Sequence, residues 1–202
     1  MPDPTTIRSV DDLTAVAARI SDALIAAAGL DSEPGLQQAM CLIEEAGELV
    51  GAYRRWAGMA RRAGTFNDVA DEFADVAITT AVAAHDLGVV LNGGHDLIGF
   101  SGLDDPGWFA RTPLNKPSRR PGSTAVLAIA VRAARLGDHL TSGSAYVDED
   151  AHLAQTAVLL TQVLGITTHA AWLVGVNLPA AINTKLGVIF SRGWRDQDGA
   201  TS

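Results

Sequence analysis

The sequence predicts an all-α protein, a bundle of antiparallel helices. Three observations lead there. Apolar residues make up 48% of the 202 residues, aromatics only 5%, and alanine is abundant; that mixture favours closely packed helices over sheets built from β-branched and aromatic side chains. Apolar positions recur with a helical period along most of the chain, and no segment alternates convincingly as a strand. Helix starts and stops punctuate the pattern at sensible intervals. The length suffices for one compact domain or two small halves.

The elements follow in order. Ser9-Val10-Asp11-Asp12 reads as a capping box opening a helix that runs to about Gly29. Asp31-Ser32-Glu33-Pro34 forms a turn and starts a second helix, from about Gly35 to Ala60. Arg61 to Thr65 is a basic turn, and Asn67 or Thr65 caps a third helix from about Asp68 to Leu87, ended by Gly88 and Gly93-Gly94. Residues 99–122 carry glycines and prolines that break regular structure, so a long irregular connection is expected there. Helices resume at Ser123 to His139, Glu149 to Leu164 and Ile166 to Val174, and a last one follows Pro179 and ends before Gly193. The expected organisation is a helical half over 1–98 bearing the acid motifs, the connection over 99–122, and a second half over 123–202 that lacks them and packs on the first.

A degenerate tandem repeat is one further expectation. Ile78-Thr79-Thr80 followed by Leu87-Gly88-Val89-Val90-Leu91 echoes Ile166-Thr167-Thr168 followed by Val174-Gly175-Val176-Asn177-Leu178. Chance similarity between Ala/Val/Thr-rich helices explains the echo about as well.

Charge narrows the function classes. The formal net charge is -8, whereas a nucleic-acid interface is normally basic. An acidic protein still accepts a nucleotide where bound cations reverse the local potential. One cysteine, Cys41, excludes a disulfide within the chain. Met1 to Ser9 has no basic region followed by an apolar block, so no secretory signal is expected. The stretch Ala154 to Ala181 comes nearest to a membrane span, but its Gln155, Gln162, His169, Asn177 and Pro179 favour buried helices. The expected location is cytoplasmic, with no membrane and no nucleic acid as partner.

The chemistry concentrates in Glu44-Glu45-Ala46-Gly47-Glu48 and Asp71-Glu72-Phe73-Ala74-Asp75. At about 100° per residue, Leu42, Ala46, Leu49, Tyr53, Trp56, Ala39, Val50 and Ile43 form an apolar arc beside Glu45, and Glu48 lies about 60° to its other side. Val69, Phe73, Val76, Ala77, Ala84 and Leu87 make the same arc beside Glu72, with Asp75 about 60° off the far edge. Two consecutive helices thus carry an i,i+3 acid pair at the border of the buried face. Packed antiparallel, they bring four carboxylates together. Like charges so placed raise one another's pKa values, and no basic residue lies within either cluster. All-oxygen ligands suit Mg²⁺ or Mn²⁺, and magnesium readily takes phosphate oxygens as further ligands.

At these residues the sequence resembles the all-α nucleoside triphosphate pyrophosphohydrolases, the MazG-like superfamily with its dimeric dUTPases and dCTP pyrophosphatases. The family pattern of EExxE, a spacer and ExxD reads here as Glu44-Glu45-x-x-Glu48, 23 intervening residues, and Glu72-x-x-Asp75. The resemblance covers residues 36–92 and implies hydrolysis between the α- and β-phosphates, giving a nucleoside monophosphate and pyrophosphate. It implies Mg²⁺ on Glu45, Glu48, Glu72 and Asp75, with Glu44 and Glu45 as the catalytic acids, and a homodimer; Glu44 is an outer-sphere residue, the base that activates water, or part of a second metal site. The stretch Leu178 to Trp194 looks like the family's closing helix, which implies phosphate contacts from Asn183, Lys185 and Arg192. Trp56, Phe66, Trp108 and Phe109 are candidates for stacking on a base, although packing explains Trp56 and Phe66 more simply. Arg54, Arg55, Arg61 and Arg62 are either a polyphosphate-steering group or an exposed basic turn.

The chain departs from the simplest members of that family in one respect. About 85 residues separate the ExxD helix from the closing helix, which leaves the role of the second half open. Two other classes compete. A ferritin-like di-iron protein needs two Glu-x-x-His motifs, and Glu149-Asp150-Ala151-His152 is the one present. A non-catalytic nucleotide-binding or regulatory protein would keep the fold without turnover.

Overall fold

A computed structural model describes residues 7–28, 34–91, 122–142 and 148–192 of the chain. The described residues form an all-α bundle of six helices: α1 (Val10–Ala28), α2 (Pro34–Trp56), α3 (Phe66–Asp86), α4 (Ser123–Ser142), α5 (Glu149–Val174) and α6 (Leu178–Arg192). Residues 99–121 of the expected irregular connection, with Trp108 and Phe109, lie outside them.

Local chemistry sets the helix starts. Ser9 Oγ accepts from the Asp12 amide at 3.1 Å while Asp12 Oδ2 accepts from the Ser9 amide at 3.0 Å, the capping box expected for α1. Thr65, of the two candidate caps, opens α3 in the same way with Asp68. Two helix ends share one device. Gly88 (φ 68°) and Gly175 (φ 89°) take the left-handed conformation. In each case the following amide reaches back over the end, Val89 to Ala84 O at 2.9 Å and Val176 to Ala171 O at 2.8 Å. The glycine and valine shared by the two echoing segments therefore belong to matching Schellman ends. The threonines match as well: Thr80 and Thr168 donate to the carbonyls of Val76 and Leu164, four residues back.

The helices α2 and α3 pack as an antiparallel hairpin, α4 and α5 as another, and α2 lies on α4. Tyr53 Oη is 3.3 Å from Ser123 Oγ, and Ile43 lies against Gly137, so α2 and α4 also run antiparallel. Both α1 and α6 cover α3. Side chains of all six helices enter one core, among them Leu13, Leu42, Phe73, Ile129, Leu160 and Ile182. The two halves thus share a single interior.

Two expectations change. The segments expected as separate helices on either side of Gly165 are one helix, α5. Gly165 is buried there, and Thr167 and Thr168 pass their hydroxyl hydrogens to Val163 and Leu164 carbonyls. Tertiary burial overrides the glycine's poor helix propensity. The second helix stops at Trp56, earlier than the expected Ala60. α5 is long and apolar enough to cross a membrane by length and composition, and 67% of its apolar window is buried against the bundle.

Candidate functional site

The acid site forms on the α2–α3 seam. Leu42, Ala46, Leu49 and Tyr53 on α2, and Val69, Phe73 and Val76 on α3, are buried in the core. The adjoining positions, Glu45 and Glu72, therefore fall half-buried at the rim. Asp75 is deeper, its side chain 17% exposed. One carboxylate oxygen each from Glu45, Glu72 and Asp75 lies within 4.8 Å of the others. Glu48 is exposed at the edge of this group, and its charge acts on all three.

Burial, followed by the charges of Asp75, Glu48 and Glu72, pushes the Glu45 carboxyl up to about 7. Burial, then Glu48 and Asp75, pushes Glu72 to about 7 as well. Asp75 is also raised: burial outweighs the hydrogen bond and charge of Lys185. Lys185 Nζ donates to Asp75 Oδ2 at 2.5 Å. Burial works against the Lys185 charge, yet the bond to Asp75 and the nearby Asp71 and Glu72 hold its pKa above the usual lysine value.

One atom bears on whether a metal fits. Glu72 Oε2 is buried and has no hydrogen-bond partner. An acceptor left so is costly unless something positive approaches it. Three convergent carboxylates with an orphaned oxygen suit a hard divalent cation, and the all-oxygen donor set suits Mg²⁺ or Mn²⁺.

The remaining candidates divide. Lys185 is at the site, carried there by α6 packing on α3. Asn183, two residues away, points elsewhere. Its Oδ1 accepts from the Ile7 amide at 2.9 Å, and its Nδ2 donates to Ile7 O at 3.2 Å and Pro179 O at 2.8 Å. Its amide is taken up by the chain entering α1. Successive residues two apart on a helix face opposite ways, which explains the split. Arg192 ends α6, and its side chain lies outside the described residues. Trp56 packs edge-on to Tyr53 at 5.7 Å and against Phe66 at 5.5 Å, closing the hairpin end while remaining 38% exposed. Glu44 is exposed on the outer side, where its charge acts on Cys41.

Arg55 carries more than the sequence suggested. Arg54, Arg61 and Arg62 are exposed, whereas Arg55 is half-buried and its charge bears on Glu72. It lies seven residues beyond Glu48, two turns along the same face. That spacing was the available signal. Lys185 and Arg55 thus both act on the acid group, one from α6 and one from α2. His85 is exposed, His139 stacks on His152 at 4.2 Å, and His169 is buried beside Trp172.

No family model, no curated protein and no solved structure matches this chain.

Proposed function

We propose that this protein is a magnesium-dependent hydrolase that converts a nucleoside triphosphate to a nucleoside monophosphate and pyrophosphate. The observation that carries the reading is the convergence of the Glu45, Glu72 and Asp75 carboxylates, with one Glu72 oxygen left without a hydrogen-bond partner, on the two helices whose motifs resemble the all-α pyrophosphohydrolases. Glu45, Glu72 and Asp75 hold the cation, and Glu48 at the rim completes the set. Bound there, Mg²⁺ supplies positive charge to phosphate oxygens and lowers the pKa of water; Mn²⁺ would serve similarly. Lys185 and Arg55 give further positive charge for a polyphosphate, which would otherwise meet only acids. Glu44, turned outward, is left an outer role. The test is pyrophosphate release from each common NTP and dNTP with Mg²⁺, using Glu48→Ala and Asp75→Ala as controls. Release that both variants abolish supports the reading; release that survives in both places the chemistry elsewhere.

A further inference from the structure

We propose that Lys185 is an exchangeable counter-ion: it pairs with Asp75 while the acid site lacks a divalent cation, and leaves Asp75 when the cation arrives. The inference rests on the metal reading above. Asp75 is a candidate ligand, yet Lys185 Nζ already sits 2.5 Å from its Oδ2. An ammonium group cannot share that oxygen with a divalent cation at ordinary ligand distance without strong repulsion.

The surroundings favour exchange over a fixed pair. The lysine side chain is 29% exposed, so its flexible stem has solvent to move into. Asp71, one turn before Asp75 on α3, is exposed and already acts on the Lys185 charge, which gives the ammonium a second acid to turn to. The helix itself need not move. Asn183 holds α6 to Ile7 on the opposite face, through bonds that no cation at the acid site touches. Lys185 released in this way carries its charge to the rim, where phosphate oxygens would arrive. One side chain thus offsets the acid charge in the absence of metal and then serves the substrate.

The chain has two lysines, Lys116 and Lys185, which makes a direct test simple. The intact protein is treated with a limiting amine-acylating reagent at fixed pH and ionic strength, with and without saturating Mg²⁺. Mass spectrometry then gives the acylation rate of Lys185 relative to Lys116, and calorimetry under the same conditions reports Mg²⁺ binding. The expected result is a several-fold rise in relative Lys185 acylation with Mg²⁺. Asp75→Asn, checked for helicity by circular dichroism, is expected to show the faster rate with or without Mg²⁺. Mg²⁺ binding with no change in Lys185 acylation overturns the exchange and leaves the metal site standing. No detectable Mg²⁺ or Mn²⁺ binding overturns the exchange together with the metal reading beneath it.

Discussion

Lys185 Nζ meets Asp75 Oδ2 across 110 residues of sequence, tying the last helix to the third at the acid site. Asp75 is pushed up by burial even with this partner, so losing it leaves a buried acid among like charges. Lys185→Met is expected to lower the metal-free stability by about 1 kcal/mol, a figure discounted because the pair is partly exposed. Urea unfolding measures this. Saturating Mg²⁺ is expected to shrink the difference, because the cation then supplies the missing charge.

The acid cluster sets a pH dependence. Glu45 and Glu72 titrate at about 7 when folded, against the ordinary 4.5. Between those values the folded protein holds more protons than the unfolded chain, so stability falls as pH rises. Metal-free protein is expected to lose stability progressively from about 4.5 to 7 as far as these two groups contribute. Thermal melts across that range check it. Mg²⁺ favours the charged carboxylates, so it should offset the loss and bind more tightly as pH rises through 7.

Glu72→Gln separates function from stability. The amide removes one of the repelling charges and keeps the shape. Metal-free protein is expected to melt at the wild-type temperature or above. Mg²⁺-dependent turnover is expected to fall by about 100-fold or more, the scale of losing an electrostatic group from a catalytic site. Melting and turnover measured on one preparation would show both. A lower melting temperature with unchanged turnover would assign Glu72 a structural role.

Asn183→Ala is expected to behave in the opposite way. The Asn183 amide makes two hydrogen bonds with Ile7, and their loss should cost about 1–3 kcal/mol of stability. Mg²⁺ affinity measured by calorimetry should remain within about twofold of wild type, since mutations at separate sites act nearly independently.

Much of this arrangement was legible in the sequence because it is written in local spacing. The i,i+3 acids at the edge of an apolar arc point Glu45, Glu72 and Asp75 to one seam, with Glu48 at its edge. Ser9, Asp12, Thr65 and Gly88 marked helix ends through their own hydrogen-bonding or backbone chemistry. What escaped was tertiary. The arc assigned to α3 omitted Ile78, Ala81 and Val82, which are buried because α1, α5 and α6 also pack on that helix. Asn183 and Lys185 shared a motif, and only the placement of α6 between Ile7 and Asp75 shows that one ties down the chain while the other reaches the acids. Gly165 looked like a break because propensity is local, whereas the burial that keeps α5 continuous comes from other helices.

The most direct test of the proposed reaction is product analysis by ³¹P NMR, with the protein, Mg²⁺ and whichever common triphosphate gives the most product. Nucleoside monophosphate and pyrophosphate are expected in equal amounts, formed only with a divalent cation and not by Asp75→Ala. Orthophosphate with a nucleoside diphosphate, or turnover that survives both chelation and Asp75→Ala, would contradict it.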